Sequence, residues 1–205
     1  MRPYLVILLA ACVTLPGMAR ADIAPLEARA LATDAVDTLC ELNKRVATGY
    51  YHSGEWDKSV MAMDRVIVLD PQDIEPYSSA AWLLWGENNP EIVMDYYLRM
   101  IAANPTEPQA YFEAGYYYYI NQRNYAAALP YLEKSVALGL SSPTRHLYGH
   151  CLERLGRAED ALAFWRTVLA EEPTNEVAQR QIARLTGETP PPATSTEETT
   201  ESTKQ

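Results

Sequence analysis

Apolar residues recur along this chain at the spacing of one face of a helix. In the first stretch, Leu31, Ala35, Leu39, Leu42, Val46 and Tyr50 succeed one another at intervals of three and four, with neither Gly nor Pro after Pro25 as far as Thr48. This predicts a helix or arm over residues 22–39 that continues past Cys40 without a break. The alternative is a later start capped by Thr33 or Asp34. Val60, Met63, Val66 and Ile67 form a second helical stripe between Gly54 and the stop at Asp70-Pro71. Further on, Leu147, Leu152, Ala161, Trp165 and Val168 predict helix, turn and helix around Gly156, with a stop at Pro173. Glu176 to Leu185 carries Val177, Ile182 and Leu185 on one side and Gln179, Arg180 and Arg184 on the other, as a closing helix should.

These elements repeat. Small residues stand at Ala47, Ala81, Gly115 and Gly149, each 34 positions from the last and each followed three residues on by Tyr50, Leu84, Tyr118 or Leu152. Pro71 and Pro105 lie one period apart, Pro105 and Pro173 two, and Gly54 and Gly156 three. The third unit departs from the rule. Its turn, Asn121-Gln122-Arg123-Asn124, is one residue longer, and Pro130 falls about two turns into its second helix, which predicts a kink or a late start there.

A period of 34 with small, aromatic and proline landmarks resembles the tetratricopeptide repeat (TPR). The resemblance covers residues 40–175, as units 40–73, 74–107, 108–141 and 142–175. It implies an all-α fold: a right-handed α-solenoid of about four helix-turn-helix units with a C-terminal capping helix at 176–186. It also implies a scaffold that binds another protein or a peptide segment.

The ends of the chain say where this scaffold would work. Arg2, an apolar run from Tyr4 to Leu15, Pro16-Gly17 and the small-x-small Ala19-Arg20-Ala21 make residues 1–21 read as a secretory signal peptide. Export to the periplasm of a Gram-negative bacterium is the expectation. The rival is Leu9-Ala10-Ala11-Cys12, which resembles a lipoprotein cleavage box and would anchor the protein to a membrane through Cys12. Residues 187–205 are rich in Thr, Glu and Pro and hold no large apolar residue, so a disordered tail is expected.

Charge narrows the partner. The formal net charge is -10, and loss of Arg2 and Arg20 with a leader leaves 15 basic against 27 acidic residues. Nucleic acid is excluded as an expected ligand, because such binding draws on Lys and Arg against phosphate; neutral or cationic partners fit better. Cys40 and Cys151 stand in the first and last repeats, too far apart on this fold for a bond that needs Cα atoms within about 7 Å. Both are expected free and buried.

No phosphate loop, His-Glu-x-x-His, paired Cys-x-x-Cys or nucleophile triad is present in the sequence. The informative positions form a second stripe on each unit's first helix: Lys44, Thr48 and Tyr51; Ser78, Trp82 and Trp85; Phe112, Tyr116 and Tyr119; His146, His150 and Glu153, with His52 beside it. In the family this chain resembles, that stripe lines the concave groove. Members that clamp a terminal carboxylate use Lys, Asn and Arg there; only Lys44 matches here, with Thr48 where Asn would stand. His146 and His150 could reach one ion with Glu153, but two helical histidines signal a metal weakly. Five large rings in the middle units make on the order of 1,000 Å² of aromatic surface, more than soluble monomers leave open as one patch. Either the rings are core, or something covers them: a peptide, a stacked glycan from a cell-envelope polysaccharide or peptidoglycan system, or the chain's own arm.

Overall fold

The computed structural model describes residues 20–87, 89–139 and 145–188, with side chains from residue 28 onward. Most of the expected leader and tail lie outside the described residues. The chain divides into two compact units that meet in sequence at Asn104 and Pro105.

Unit 1 holds α1 (Arg20–Ser53), α2 (Trp56–Leu69), α3 (Glu75–Leu84) and α4 (Pro90–Ala103). α1 is continuous, and Thr33 caps nothing: its hydroxyl donates to the Arg29 carbonyl four residues back, as Thr38 does to Asp34, the bonding of a mid-helix Thr. Gly54 ends the helix in the left-handed region at φ 77°, where its N–H and that of Glu55 close on the Tyr51 and Tyr50 carbonyls. α2 then folds back on the second half of α1, burying Ala62, Met63, Val66 and Ile67 together with Ala47. Ser59 is buried in that seam and donates to the Ala47 carbonyl at 2.9 Å, so no polar atom is stranded. Asn89 caps α4 through the Ile92 N–H, and Pro90 takes the first helical position, where a missing N–H costs nothing.

Unit 2 holds α5 (Pro108–Tyr116), a π-helical turn (Tyr117–Asn121), α6 (Tyr125–Ala137), α7 (His146–Arg154), α8 (Ala158–Glu171) and α9 (Glu176–Thr186). The π-turn is where the extra residue of the third repeat goes. The Gln122 N–H reaches the Tyr117 carbonyl five residues back, and the left-handed position held by Gly54 and Gly156 in their repeats passes to Arg123, at φ 49°. α6 does not start late: Asn124 caps it through Ala127 N, and the helix runs from Tyr125 on past Pro130. The proline is tolerated because it and Ala126, whose carbonyl loses its partner, are both exposed, so water can take the bond.

The small residues of the period are where helices touch. Ala47 and Ala81 are fully buried, a Cβ on Gly115 would lie 2.7 Å from Leu132, and one on Gly149 would lie 2.5 Å from the Trp165 ring. The prolines have a bond of their own. Tyr77 donates to the Pro71 carbonyl at 3.2 Å, Tyr111 to Pro105 at 3.1 Å and Gln179 to Pro173 at 2.9 Å, the same bond at one and then two periods' distance. It ties the chain leaving one repeat to the first helix of the next. α9 caps the last apolar face, setting Ala178 and Ala183 against α8 and leaving Arg180 and Arg184 exposed.

Candidate functional site

The stripe on the first helices is not uniform, and its bonds keep the same period as the fold. Its first position ties one repeat to the next. Lys44 reaches forward to Asp73 at 2.6 Å and Glu75 at 3.1 Å. Burial opposes its charge, but the hydrogen bonds to these carboxylates outweigh it and hold the ammonium above the ordinary lysine range. Three periods on, His146 reaches Asn175 in the same way, at 3.1 Å. Asn175 Oδ1 accepts the Ala178 N–H, so its amide hydrogens turn to Glu172 Oε2 and His146 Nε2, and the ring accepts there as a neutral imidazole. Burial pushes the His146 pKa below the usual value, consistent with that form.

The last position points back into its own repeat. Trp85 donates its indole N–H to Tyr97 OH at 3.1 Å, and two periods later the roles reverse, with Trp165 donating to Glu153 at 2.8 Å. Tyr97 and Trp165 are both core residues. Trp85, Glu153, Lys44 and His146, expected to line an open groove, therefore serve first to fasten helices; His146 is only 8% exposed. His150 packs its ring 5.1 Å from that of Trp165, and burial lowers its pKa as well.

What remains open lies mainly in unit 1. Tyr51 is 42% exposed and Trp82 55%, with ring centroids 6.3 Å apart, and His52 stands edge-on to Tyr51. Thr48, also exposed, turns its hydroxyl to the Lys44 carbonyl, while the Ser78 hydroxyl lies 3.8 Å from Met100 Sδ. In unit 2, Phe112 and Tyr116 stack at 5.6 Å and Tyr119 leans on Tyr125 at 5.0 Å, all half-buried. Tyr125 was not anticipated from the stripe; the π-turn brings it there, and the long turn was its one trace in the sequence. The Cys151 thiol donates to the Tyr125 carbonyl, and burial pushes its pKa up to about 11, so it is a packing residue. Cys40 is likewise free and buried.

The contact between Tyr51 and Trp82 has a counterpart. Three periods on, the same two positions are Glu153 and Arg184, joined by a salt bridge between α7 and α9. In the last repeat the open aromatic pair of unit 1 thus gives way to an ionic clasp under the capping helix.

These repeating bonds define a helix-pair repeat, and comparison with solved structures agrees. No protein-family model matches the chain, and no curated protein matches it in sequence. Among solved structures, the crystal structure of MamA has a TM-score of 0.57 at 15% identity, over 73% of this chain and 81% of that one. PilF of Pseudomonas aeruginosa gives 0.55 at 15%, covering 74% and 69%. YrrB, described as a TPR protein with an unusual peptide-binding site, gives 0.53 at 18%, covering 71% and 75%. The fold is the all-α tetratricopeptide-type solenoid.

Proposed function

We propose that this protein is an exported, non-catalytic interaction scaffold of the periplasm, holding a neutral or cationic segment of another protein against the first helices of unit 1. The observation that carries this reading is the open pair Tyr51 and Trp82, with His52 beside it. Large rings held by rigid helices are the usual anchors of an interface, since they bury much area with few bonds to freeze. In the last repeat of unit 2 the equivalent positions are closed by the Glu153–Arg184 salt bridge. Lys44, engaged by two carboxylates, is not available as a clamp for a terminal carboxylate. The histidines support binding over catalysis, because His146 is held by Asn175 and His150 lies against Trp165. The net charge favours neutral or basic segments.

The test is a photo-crosslinking aromatic amino acid at position 82, with the protein expressed in its native host and the adduct identified by mass spectrometry. A polypeptide adduct supports the reading; a glycan adduct supports the alternative of a factor in cell-envelope polysaccharide or peptidoglycan assembly. The same spectra read the N-terminus. A chain beginning at Asp22 supports soluble export, whereas a lipid-modified Cys12 moves the scaffold to a membrane face.

A further inference from the structure

α1 is longer than anything it packs on. α2 lies along its second half and buries Cys40 and Ala47, while the turn and ring contacts from Lys44 and Tyr51 point to α3. Away from both, Ala28, Leu31, Ala35, Leu39, Leu42 and Val46 form one wholly apolar stripe. At 100° per residue it fits a sector about 80° wide, centred about 130° from the buried face. Every member is exposed, Leu31 by 60% and Leu42 by 47%. In unit 2 the closing helix α9 covers the apolar face of α8; among the described residues no helix does the same for this stripe of α1. A helical arm whose apolar stripe meets no described residue is marginal on its own, because most helical stability in proteins comes from packing such a stripe.

We propose that a second copy of this chain covers it, the two α1 helices packing antiparallel about a twofold axis. Such a pairing is complementary in both shape and charge. Asp34 and Arg45 flank the stripe on the same side, both exposed, and neither makes an ion pair with a described residue. An antiparallel twofold brings like flanks together, so one register sets Asp34 of each copy beside Arg45 of the other, twice over. In that register Val46 of one copy falls between Leu31 and Ala35 of its mate, Leu42 falls between Ala35 and Leu39, and the two Leu39 side chains meet at the axis. The arm of each copy then lies beside the second half of the other's α1, where a preceding repeat would sit. In that register the two stripes overlap over residues 33–46, about 21 Å of helix. Such a strip is at the small end of specific interfaces, so the dimer should dissociate in roughly the micromolar range. This surface is separate from Tyr51 and Trp82, and the dimer stands or falls independently of the function proposed above.

Sedimentation velocity on the purified chain, across concentrations from about 1 to about 100 μM, tests the association. A reversible shift from monomer to dimer is expected. Leu39→Glu combined with Leu42→Glu, both at exposed positions, should leave a folded monomer throughout, with circular dichroism as the check. Arg45→Asp should weaken the dimer about tenfold by placing like charges together twice. Asp34→Arg added to Arg45→Asp restores opposite charges and should return the affinity to within about twofold of wild type. A wild type that stays monomeric at every concentration overturns the proposal. So does a dimer that survives the double Glu variant, or an Arg45→Asp loss that Asp34→Arg does not recover.

Discussion

The pair Tyr51 and Trp82 in unit 1 and the pair Glu153 and Arg184 in unit 2 occupy the same two places in the repeat, yet one is open and aromatic, the other clasped and ionic. The difference extends beyond the pair. Among the described residues, the exposed large apolar side chains belong almost entirely to unit 1, and Ile120 alone represents unit 2. Unit 2 devotes its stripe to cohesion: Trp165, fully buried, gathers His146, His150, Phe164 and Glu153 around it, and α9 closes over Glu153 with Arg184. The repeat fixes which positions meet and leaves open what chemistry they use. Where a further helix closes the stripe, it becomes structure; where rings stay exposed, it becomes surface.

The largest effect expected is at the centre of the closed side. Trp165→Ala should cost about 3 to 5 kcal/mol, since it empties a fully buried aromatic site and leaves Glu153 without its indole donor. A denaturant midpoint shifted by less than a third of that would mean that α8 and α9 close without it, and the contrast with unit 1 would blur.

Trp85→Ala should cost about 2 to 3 kcal/mol, because its indole N–H is bonded to a core tyrosine although its ring is half-exposed. Urea unfolding distinguishes this from a binding ring, which would leave the midpoint in place.

Asn175→Ala removes the α9 cap and the partner of His146 together, and about 1 to 2 kcal/mol should go with it. Thermal melts of Asn175→Ala and Asn175→Asp separate the roles, since Asp keeps the cap but not the amide donor.

A pH effect is expected at the same site. Burial depresses both His146 and His150 below the ordinary value of about 6.5. Between that value and their folded ones, the unfolded chain binds more protons, so stability is full above about pH 6.5 and falls as pH drops through the folded values. Melting at pH 7.5 and 5.0 should show the loss in wild type and a smaller loss in His146→Gln. An equal loss in both would leave His146 out of the account.

The smallest effect belongs to the open side. Trp82→Ala should change stability by under about 1 kcal/mol, as exposed positions do, while abolishing partner capture by the scaffold. A midpoint that fell as far as that of Trp165→Ala would erase the distinction between the two pairs.

Much of this was legible in the amino-acid order. The all-α fold, the 34-residue period, Ala47, Ala81, Gly115 and Gly149 as packing points, and the closing helix with Val177, Ile182 and Leu185 all stem from local spacing, because a helix repeats its faces regularly and a close approach tolerates only small residues. The stripe itself was legible as a row of positions. Which of its members are open was not. Lys44 and His146 are claimed by Asp73 and Asn175, Trp85 and Glu153 by Tyr97 and Trp165, and no spacing within a single helix reveals a partner about 12 or 30 residues away. The extra residue of the third repeat showed in the sequence as a long turn, but its resolution into a π-turn followed by a left-handed Arg123 depends on how α5 and α6 pack. Periodicity determines where side chains point relative to their own helix; only the neighbouring helix decides whether they meet a bond, a ring or water.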